Sequence, residues 1–337
     1  MRRQFWLMRK MGIKSLNRFL ADNCSTYSIS KMHLSEIANR TLIIDTSIYL
    51  YKFMEKQSLL ENIYLMISVL KHYNIVPIFV FDGKPPSEKK ELLEKRKMEK
   101  KVAEETYNEL KHELETVTDK EKKEDIMNEL EMLKKRFVRI REHDIQQVKE
   151  LMTAYGVMYL ESHGEADQLC AYLTKHNYAW ACVSDDMDMF VYGCPRVLRH
   201  LSLVNHSVIL YDTTRILEEL GMPMEHFKDI LVLSGTDYNI YDKTNLTETL
   251  KWYMQYVKYS VLKGKSEMFY DWLVKYTKYI HNRSNLDKVH SMFDLSLFSL
   301  NNQSEIRNVI NALPFEYKPG NFEQLQQLLT QDGFLFV

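Results

Sequence analysis

The sequence predicts an α/β fold: a mostly parallel central sheet flanked by helices, with a helical insertion and a helical C-terminal part. Three observations lead there. Short apolar runs at 41–45, 75–81, 157–160 and 179–184 read as buried strands, and stretches of helical periodicity separate them. A charged block over about 87–150 holds no Gly or Pro between Pro86 and Gly156. From about 213 onward the pattern is helical.

TLIID (41–45) is a buried strand ending on Asp45. LLENIYLMISVLKHY (59–73) spaces its apolar residues by three and four, as a crossover helix does. IVPIFVFD (75–82) is the next strand and ends on Asp82. The charged block is dense in Glu, Lys, Leu and Met, which are strong helix formers. It reads as two long helices with a break near TVTDK (116–120), where Thr and Asp can cap the second. Taken alone, it is a solvated helical hairpin. Two more strands follow at 157–160 and 179–184, and β-rich runs at RVLRHL (196–201) and SVILYD (207–212). DTTRILEEL opens a capped helix and SEIRNVINAL forms another. The aromatic residues of KWYMQYVKYSVL and MFYDWLVKYTKYI recur at helical spacing, which favours core packing over base stacking.

The 337 residues suffice for one large α/β domain with a helical appendage, or for two domains. Apolar residues make up 45%, enough for a sizeable core. A net charge of −1 removes any simple basic-protein argument for nucleic acid, so attraction to a polyanion must come from local Lys and Arg clusters. Cys24, Cys170, Cys182 and Cys194 lack C-x₂-C spacing, which argues against zinc and a disulfide framework and for a reduced intracellular compartment. No apolar stretch approaches the ~18–20 residues of a membrane span. The opening MRRQFWLMRK is expected to be a disordered extension, because its apolar run is too short for a secretory signal.

Seven acidic side chains carry the chemistry. Asp45 and Asp82 end strands; Glu165 and Asp167 lie two apart in HGEAD; Asp186 and Asp188 lie two apart in SDDMD; Asp237 follows VLSG. Ligands of an open parallel sheet bind outside the carboxyl ends of its strands. Carboxylates gathered there repel one another unless a cation holds them, and hard divalent ions such as Mg²⁺ prefer oxygen ligands. In a strand, Asp186 and Asp188 would point the same way. Glu165 and Asp167 can converge at a loop-to-helix entry. Unrelated helix caps are the bland alternative; they would leave Asp82 and Asp186 repelling each other if their strands are neighbours. The implied reaction is metal-assisted hydrolysis of a phosphodiester.

These motifs resemble, in order, those of the flap-endonuclease/XPG-like 5′ nucleases. The matching stretches are MGIKSL from Met11, IDTSIYLY (44–51), VFDGKPP (80–86), GEADQLCAYL (164–173), SDDMD (184–188) and LSGTDY (233–238). The resemblance covers about 11–240. It implies a PIN-like 5′-nuclease fold in which Asp45, Asp82, Glu165, Asp167, Asp186, Asp188 and Asp237 hold two Mg²⁺ ions, with Mn²⁺ able to substitute. Asp167 stands where flap endonucleases usually have Glu. Asp185 is extra and suits a cap. Two ions about 3.5–4 Å apart can activate a water and stabilise the leaving oxygen. The block at about 87–150 becomes a helical arch over the site. Lys89 and Arg96 align with the family's basic gateway residues; seven apart, they share a helix face about 10 Å long and can neutralise the scissile phosphate. Lys90, Lys97, Lys100 and Lys101 are better read as a solvated face. Tyr51 aligns with a base-stacking aromatic, Gly12 with a residue beside the DNA junction, and Arg199 with a phosphate contact.

Three departures stand out. YNIYDKTNLTETL replaces the family's Gly-Ile-Gly hairpin, which grips duplex DNA, often with potassium; the NLTE cap preserves the helix after it. KFMEKQSLLEN (52–62) is short where flap endonucleases carry a wedge for a one-nucleotide 3′ flap. Ten residues precede Met11, the family's usual start, so Met11 is a candidate initiator. NFEQLQQLLTQDGFLFV lacks the spacing of a sliding-clamp peptide. The expectation is a monomeric, structure-specific 5′ nuclease acting on DNA flaps, nicks or gaps in replication and repair, in the nucleus or at a cytoplasmic replication site, a viral one included. A 5′-to-3′ exonuclease, an RNA-directed nuclease and a non-catalytic nucleic-acid-binding scaffold of the same fold remain as alternatives.

Overall fold

The computed structural model describes residues 13–239, 244–264, 267–313, 317 and 319–334, with the backbone alone at 300 and 305. The extension at 1–10, Met11 and Gly12 lie outside the described residues, as do positions 240–243 of the segment replacing the glycine hairpin.

In chain order, α1 (Leu16–Asn23) leads to β1 (Ile29–His33) and β2 (Thr41–Asp45), and α2 (Thr46–Glu55) and α3 (Leu59–His72) cross to β3 (Val76–Phe81). α4 (Lys90–Thr116) and α5 (Lys120–Lys134) pair with each other, and α6 (Glu142–Tyr155) returns the chain to β4 (Met158–Glu161). α7 (Ala166–Lys175), β5 (Ala181–Val183), α8 (Asp188–Val191), β6 (Arg196–Ser202) and β7 (Ser207–Asp212) complete the sheet. The C-terminal part comprises α9 (Thr213–Leu220), α10 (Met224–Leu233), α11 (Leu246–Lys263), α12 (Phe269–Tyr276), α13 (Arg283–Met292), α14 (Leu295–Asn301), α15 (Gln303–Ala312) and α16 (Phe322–Gln331).

The sheet order is β1-β7-β6-β5-β2-β3-β4. β6, β5, β2, β3 and β4 run parallel, while β7 and β1 add antiparallel at one edge. The mostly parallel sheet expected from the apolar runs is thus present. β1 is the strand that sequence reading misses: ISKMH buries none of its residues fully, so it shows no apolar run.

Alternating residues of each inner strand feed two separate cores, as the two-residue period of a strand requires. Ile43, Ile78, Val80 and Cys182 face α1, α7, α8 and the C-terminal helices. Leu42, Ile44, Phe79 and Val183 face α2, α3, α6 and α16. α6, part of the charged block, therefore covers the sheet through Val148, Leu151 and Met152, and only α4 and α5 form the arch-like pair. The break between them falls at 117–119, where Asp119 accepts a hydrogen bond from the Glu121 N–H. Asn245 caps α11 by accepting from the Glu248 N–H. Tyr253, Tyr256 and Trp272 of the aromatic-rich helices are buried, consistent with core packing. Among the described residues no helix is long and apolar enough to cross a membrane.

Candidate active site

β2 lies between β3 and β5, all three parallel, so their carboxyl ends meet at one edge. Sheet growth reverses here: β3 and β4 build to one side of β2, β5 and β6 to the other. The loops part at such a switch point and leave a crevice. Asp45 ends β2 and is 4% exposed; its Oδ2 accepts from Ser184 Oγ at 3.0 Å. Asp82 follows β3; its Oδ1 accepts from the Ala166 N–H at 2.8 Å and its Oδ2 from Ser47 Oγ.

Glu165 is the N-cap residue of α7 and Asp167 lies in that helix's first turn. α2 likewise starts directly after Asp45, and α8 at Asp188. Helix N-termini favour negative charge, and these meet several of the carboxylates. Asp186 and Asp188 are 7% and 3% exposed. β5 has ended by Val183, so strand alternation does not bring them together. A turn does: the Asp188 N–H donates to Asp186 Oδ1 at 2.9 Å and the Asp186 N–H to Ser184 Oγ at 3.1 Å.

The two oxygens of Glu165 have different partners. Lys89 Nζ donates to Oε1 at 2.5 Å and Tyr238 OH donates to Oε2. Asp237 Oδ2 accepts from Arg96 Nη2 at 2.8 Å, with Lys89 Nζ 3.9 Å away. Lys89, the residue just before α4, is thus buried against the carboxylates, and Arg96 lies about two turns further along. Lys100, also from α4, places its Nζ 5.1 Å from the Tyr51 ring centroid, so the arch crosses above that aromatic too.

The carboxylates feel one another strongly. Burial, then the charges of Asp82 and Asp186, push the Asp45 pKa well above the usual carboxylate range. Burial together with Asp45 and Asp186 does the same to Asp167, and burial together with Asp186 and Asp237 to Asp188. Burial also raises Asp186, against the hydrogen bond from Asp188. Burial disfavours the Lys89 charge, yet Glu165 and Asp167 outweigh it and hold the ammonium protonated.

Gly83 explains how the Asp82 and Glu165 loops come so close. Its N–H donates to Gly164 O at 2.7 Å and the Lys84 N–H to His163 O at 3.1 Å. A Cβ at position 83 would lie 1.9 Å from Ser162 O. Gly83, Ser47, Ser184 and Tyr238 all fall within or beside the recognised motifs, but nothing in their type or spacing reveals what they hold.

Arg199 is placed differently from the sequence expectation. It is 6% exposed, with Nη1 bonded to Asn17 Oδ1 and Nη2 to the Asp185 carbonyl, each at 2.9 Å. Its guanidinium braces the 185–188 turn from inside, and this geometry does not offer it to a phosphate. Asp185 also belongs to the support, accepting from the His200 N–H at 2.7 Å.

The donor set suits a hard divalent cation: all its members are oxygens, four of the carboxylates have pKa values raised by burial and mutual repulsion, and buried Asp188 Oδ1 has no hydrogen-bond partner among the described residues. As the side chains stand, no three His, Cys, Asp or Glu residues among those described surround one cation position. Lys89 and Arg96 instead draw Glu165 and Asp237 toward themselves.

The chain is similar to known proteins in sequence and in fold. Residues 11–103 match the model of the XPG N-terminal domain and residues 156–237 that of the XPG I-region. Flap endonuclease 1 of Glycine max is 35% identical over 247 residues, 68% of this chain and 62% of that protein, so the chain spans less than two thirds of that relative's length. Flap endonuclease 1 of Candida tropicalis is 31% identical over 291 residues, covering 80% of this chain and 72% of the relative. In fold, the catalytic core of Rad2 in complex with DNA substrate superposes with a TM-score of 0.62 over 96% of both chains at 18% identity. The order of motifs, the shared edge of the sheet and these relatives place the chain in the flap endonuclease/XPG-like nuclease family.

Proposed function

We propose that this chain is a metal-dependent, structure-specific 5′ nuclease that hydrolyses phosphodiesters of DNA at 5′ flaps, nicks or gaps. It acts as a monomer in replication or repair. The observation that carries the reading is the convergence of seven carboxylates beneath a helix that brings Lys89 and Arg96 down onto them.

Asp45, Asp82, Glu165, Asp167, Asp186, Asp188 and Asp237 would hold two Mg²⁺ ions, with Mn²⁺ as a substitute. Bound there, the ions supply an activated water and charge stabilisation for the leaving oxygen in an in-line displacement. Lys89 and Arg96 reach the same volume. With Glu165 and Asp237 engaged elsewhere, their cationic groups turn to the scissile phosphate and neutralise charge developing on its oxygens. Tyr51 offers its ring to a substrate base once Lys100 moves aside. The products carry a 5′ phosphate and a 3′ hydroxyl.

One observation favours a second reading, 5′-to-3′ exonuclease activity. α2 ends at Glu55 and α3 begins at Leu59, which leaves no length for a wedge that sorts double flaps. The test is a panel of 5′-labelled flap duplex, nicked duplex and single-stranded RNA with MgCl₂, product ends mapped. The reading predicts cleavage at the flap junction, weaker removal of nucleotides at the nick, and intact RNA. Removal of single nucleotides from the nick ahead of the flap selects the exonuclease. No cleavage of any substrate sinks both.

A further inference from the structure

Tyr238 sits beside Asp237 and takes no part in the chemistry described above. Its hydroxyl donates to Glu165 Oε2. The Lys89 ammonium lies 4.7 Å from its ring centroid and itself donates to Glu165 Oε1 at 2.5 Å. One aromatic side chain therefore holds a carboxylate with its polar end and the basic group above it with its face. Tyrosine suits both tasks: the phenol is a hydrogen-bond donor and the ring face attracts a cation.

The ring is held in turn from the C-terminal helices. Phe293, buried just after α13, meets it edge-on with centroids 5.4 Å apart and planes at 81°. Phe293 also packs on Tyr192 at 4.8 Å. Its carbonyl accepts from Lys228 Nζ of α10 at 3.0 Å, and the neighbouring Met292 carbonyl accepts from Gln168 Nε2 of α7 at 3.2 Å. Gln168 adjoins Asp167. The corner at 292–293 thus touches α7, which carries Asp167, and the ring that holds Glu165.

We propose that Tyr238 is a positioning residue for the nuclease reaction, fixing Glu165 for the cations and Lys89 for the phosphate, and that Phe293 transmits the support of the C-terminal helices to it. The inference rests on the nuclease reading and deepens it. Both groups that Tyr238 touches are long, flexible side chains that must occupy one geometry. Partners behind a metal ligand set its orientation, and losing one typically costs about 10–100-fold in affinity or activity. A role in packing alone would need only the ring.

The test compares wild type, Tyr238→Phe, Glu165→Gln and the double variant. Each is titrated with MgCl₂ while the midpoint of thermal unfolding is followed, and single-turnover cleavage of the 5′-flap duplex is measured in parallel. Tyr238→Phe keeps the ring and loses only the hydroxyl. It should raise the Mg²⁺ concentration needed for half the stabilisation by about tenfold. It should also slow cleavage at saturating substrate while leaving the half-saturating DNA concentration unchanged. The double variant should be no worse than Glu165→Gln, because the effect passes through that carboxylate.

A Tyr238→Phe protein indistinguishable from wild type, or losses that multiply in the double variant, would overturn the inference. Phe293→Leu, which spares the hydroxyl, should shift the Mg²⁺ response the same way but less; an unchanged response there also counts against it. A wild type that neither responds to Mg²⁺ nor cleaves overturns the nuclease reading and the inference together. A responsive, active wild type with a silent Tyr238→Phe overturns the inference alone.

Discussion

Asp188 Oδ1 is buried without a hydrogen-bond partner among the described residues, and an unsatisfied buried oxygen is costly unless a cation reaches it. Its neighbour Asp186 lies in the same turn, so Asp186→Ala should abolish cleavage while flap binding, measured by fluorescence anisotropy, changes less than about threefold. Near-normal cleavage would remove Asp186 from the site. The raised pKa values carry a second consequence. Asp45, Asp167, Asp186 and Asp188 hold protons more tightly in the folded chain than in the unfolded one. Above the ordinary carboxylate pKa, near 4, the folded state binds more protons, so stability falls as pH rises through the folded values. With chelator present, the urea midpoint should drop as pH rises above the ordinary carboxylate range, drop less in Asp188→Asn, and recover on adding MgCl₂. A midpoint that rises instead would contradict the burial of these groups.

Among the elements, α4 matters most, because its N-cap residue Lys89 and Arg96 of its second turn are the two cations that meet Glu165 and Asp237. Lys89→Ala and Arg96→Ala should each slow the single-turnover chemical step by roughly 10²–10³-fold, the scale of losing one donor to a developing charge. A loss confined to binding would make them substrate-holding residues. The contact between the Asp82 and Glu165 loops makes a different demand. Gly83→Ala forces a methyl group against the Ser162 and His163 carbonyls, so it should destabilise the fold by about 1–3 kcal/mol and displace Asp82. Chemical denaturation measures the first effect and flap cleavage the second; wild-type values for both would show that the loops part easily. These elements differ in how well the sequence announces them. β3 is apolar throughout and β2 from Leu42 to Ile44, both buried on both faces, so their runs are plain. β1 pairs only with β7, at the sheet edge, and has no such signal. α4 and α5 are evident from composition, but the pairing of Lys89 with Glu165 spans 76 residues and no local pattern encodes it.

At the scale of the molecule, the parallel sheet does most of the assembly. Asp45 and Asp82 stand out because a charged residue closing an apolar strand is conspicuous, and the parallel pairing of β2 with β3, with Asp45 opposite Val80, brings both to the same edge of the sheet. Asp186 and Asp188 also stand out, although a turn rather than a strand aligns them. The misplaced residue is Arg199: a basic residue in a β run looks the same in sequence whether it faces solvent or braces a loop from within, and only burial decides. The role of Phe293 is equally silent, because it depends on how the C-terminal helices fold back on α7 and Tyr238. The central claim is that the carboxylate crevice gathers a pair of divalent cations. Crystals grown with MnCl₂, with anomalous scattering recorded, test it most directly. The account predicts two manganese peaks between Asp45, Asp82, Asp186 and Asp237, with Lys89 and Arg96 withdrawn from Glu165 and Asp237. A crevice without manganese, still closed by those two ion pairs, would contradict it.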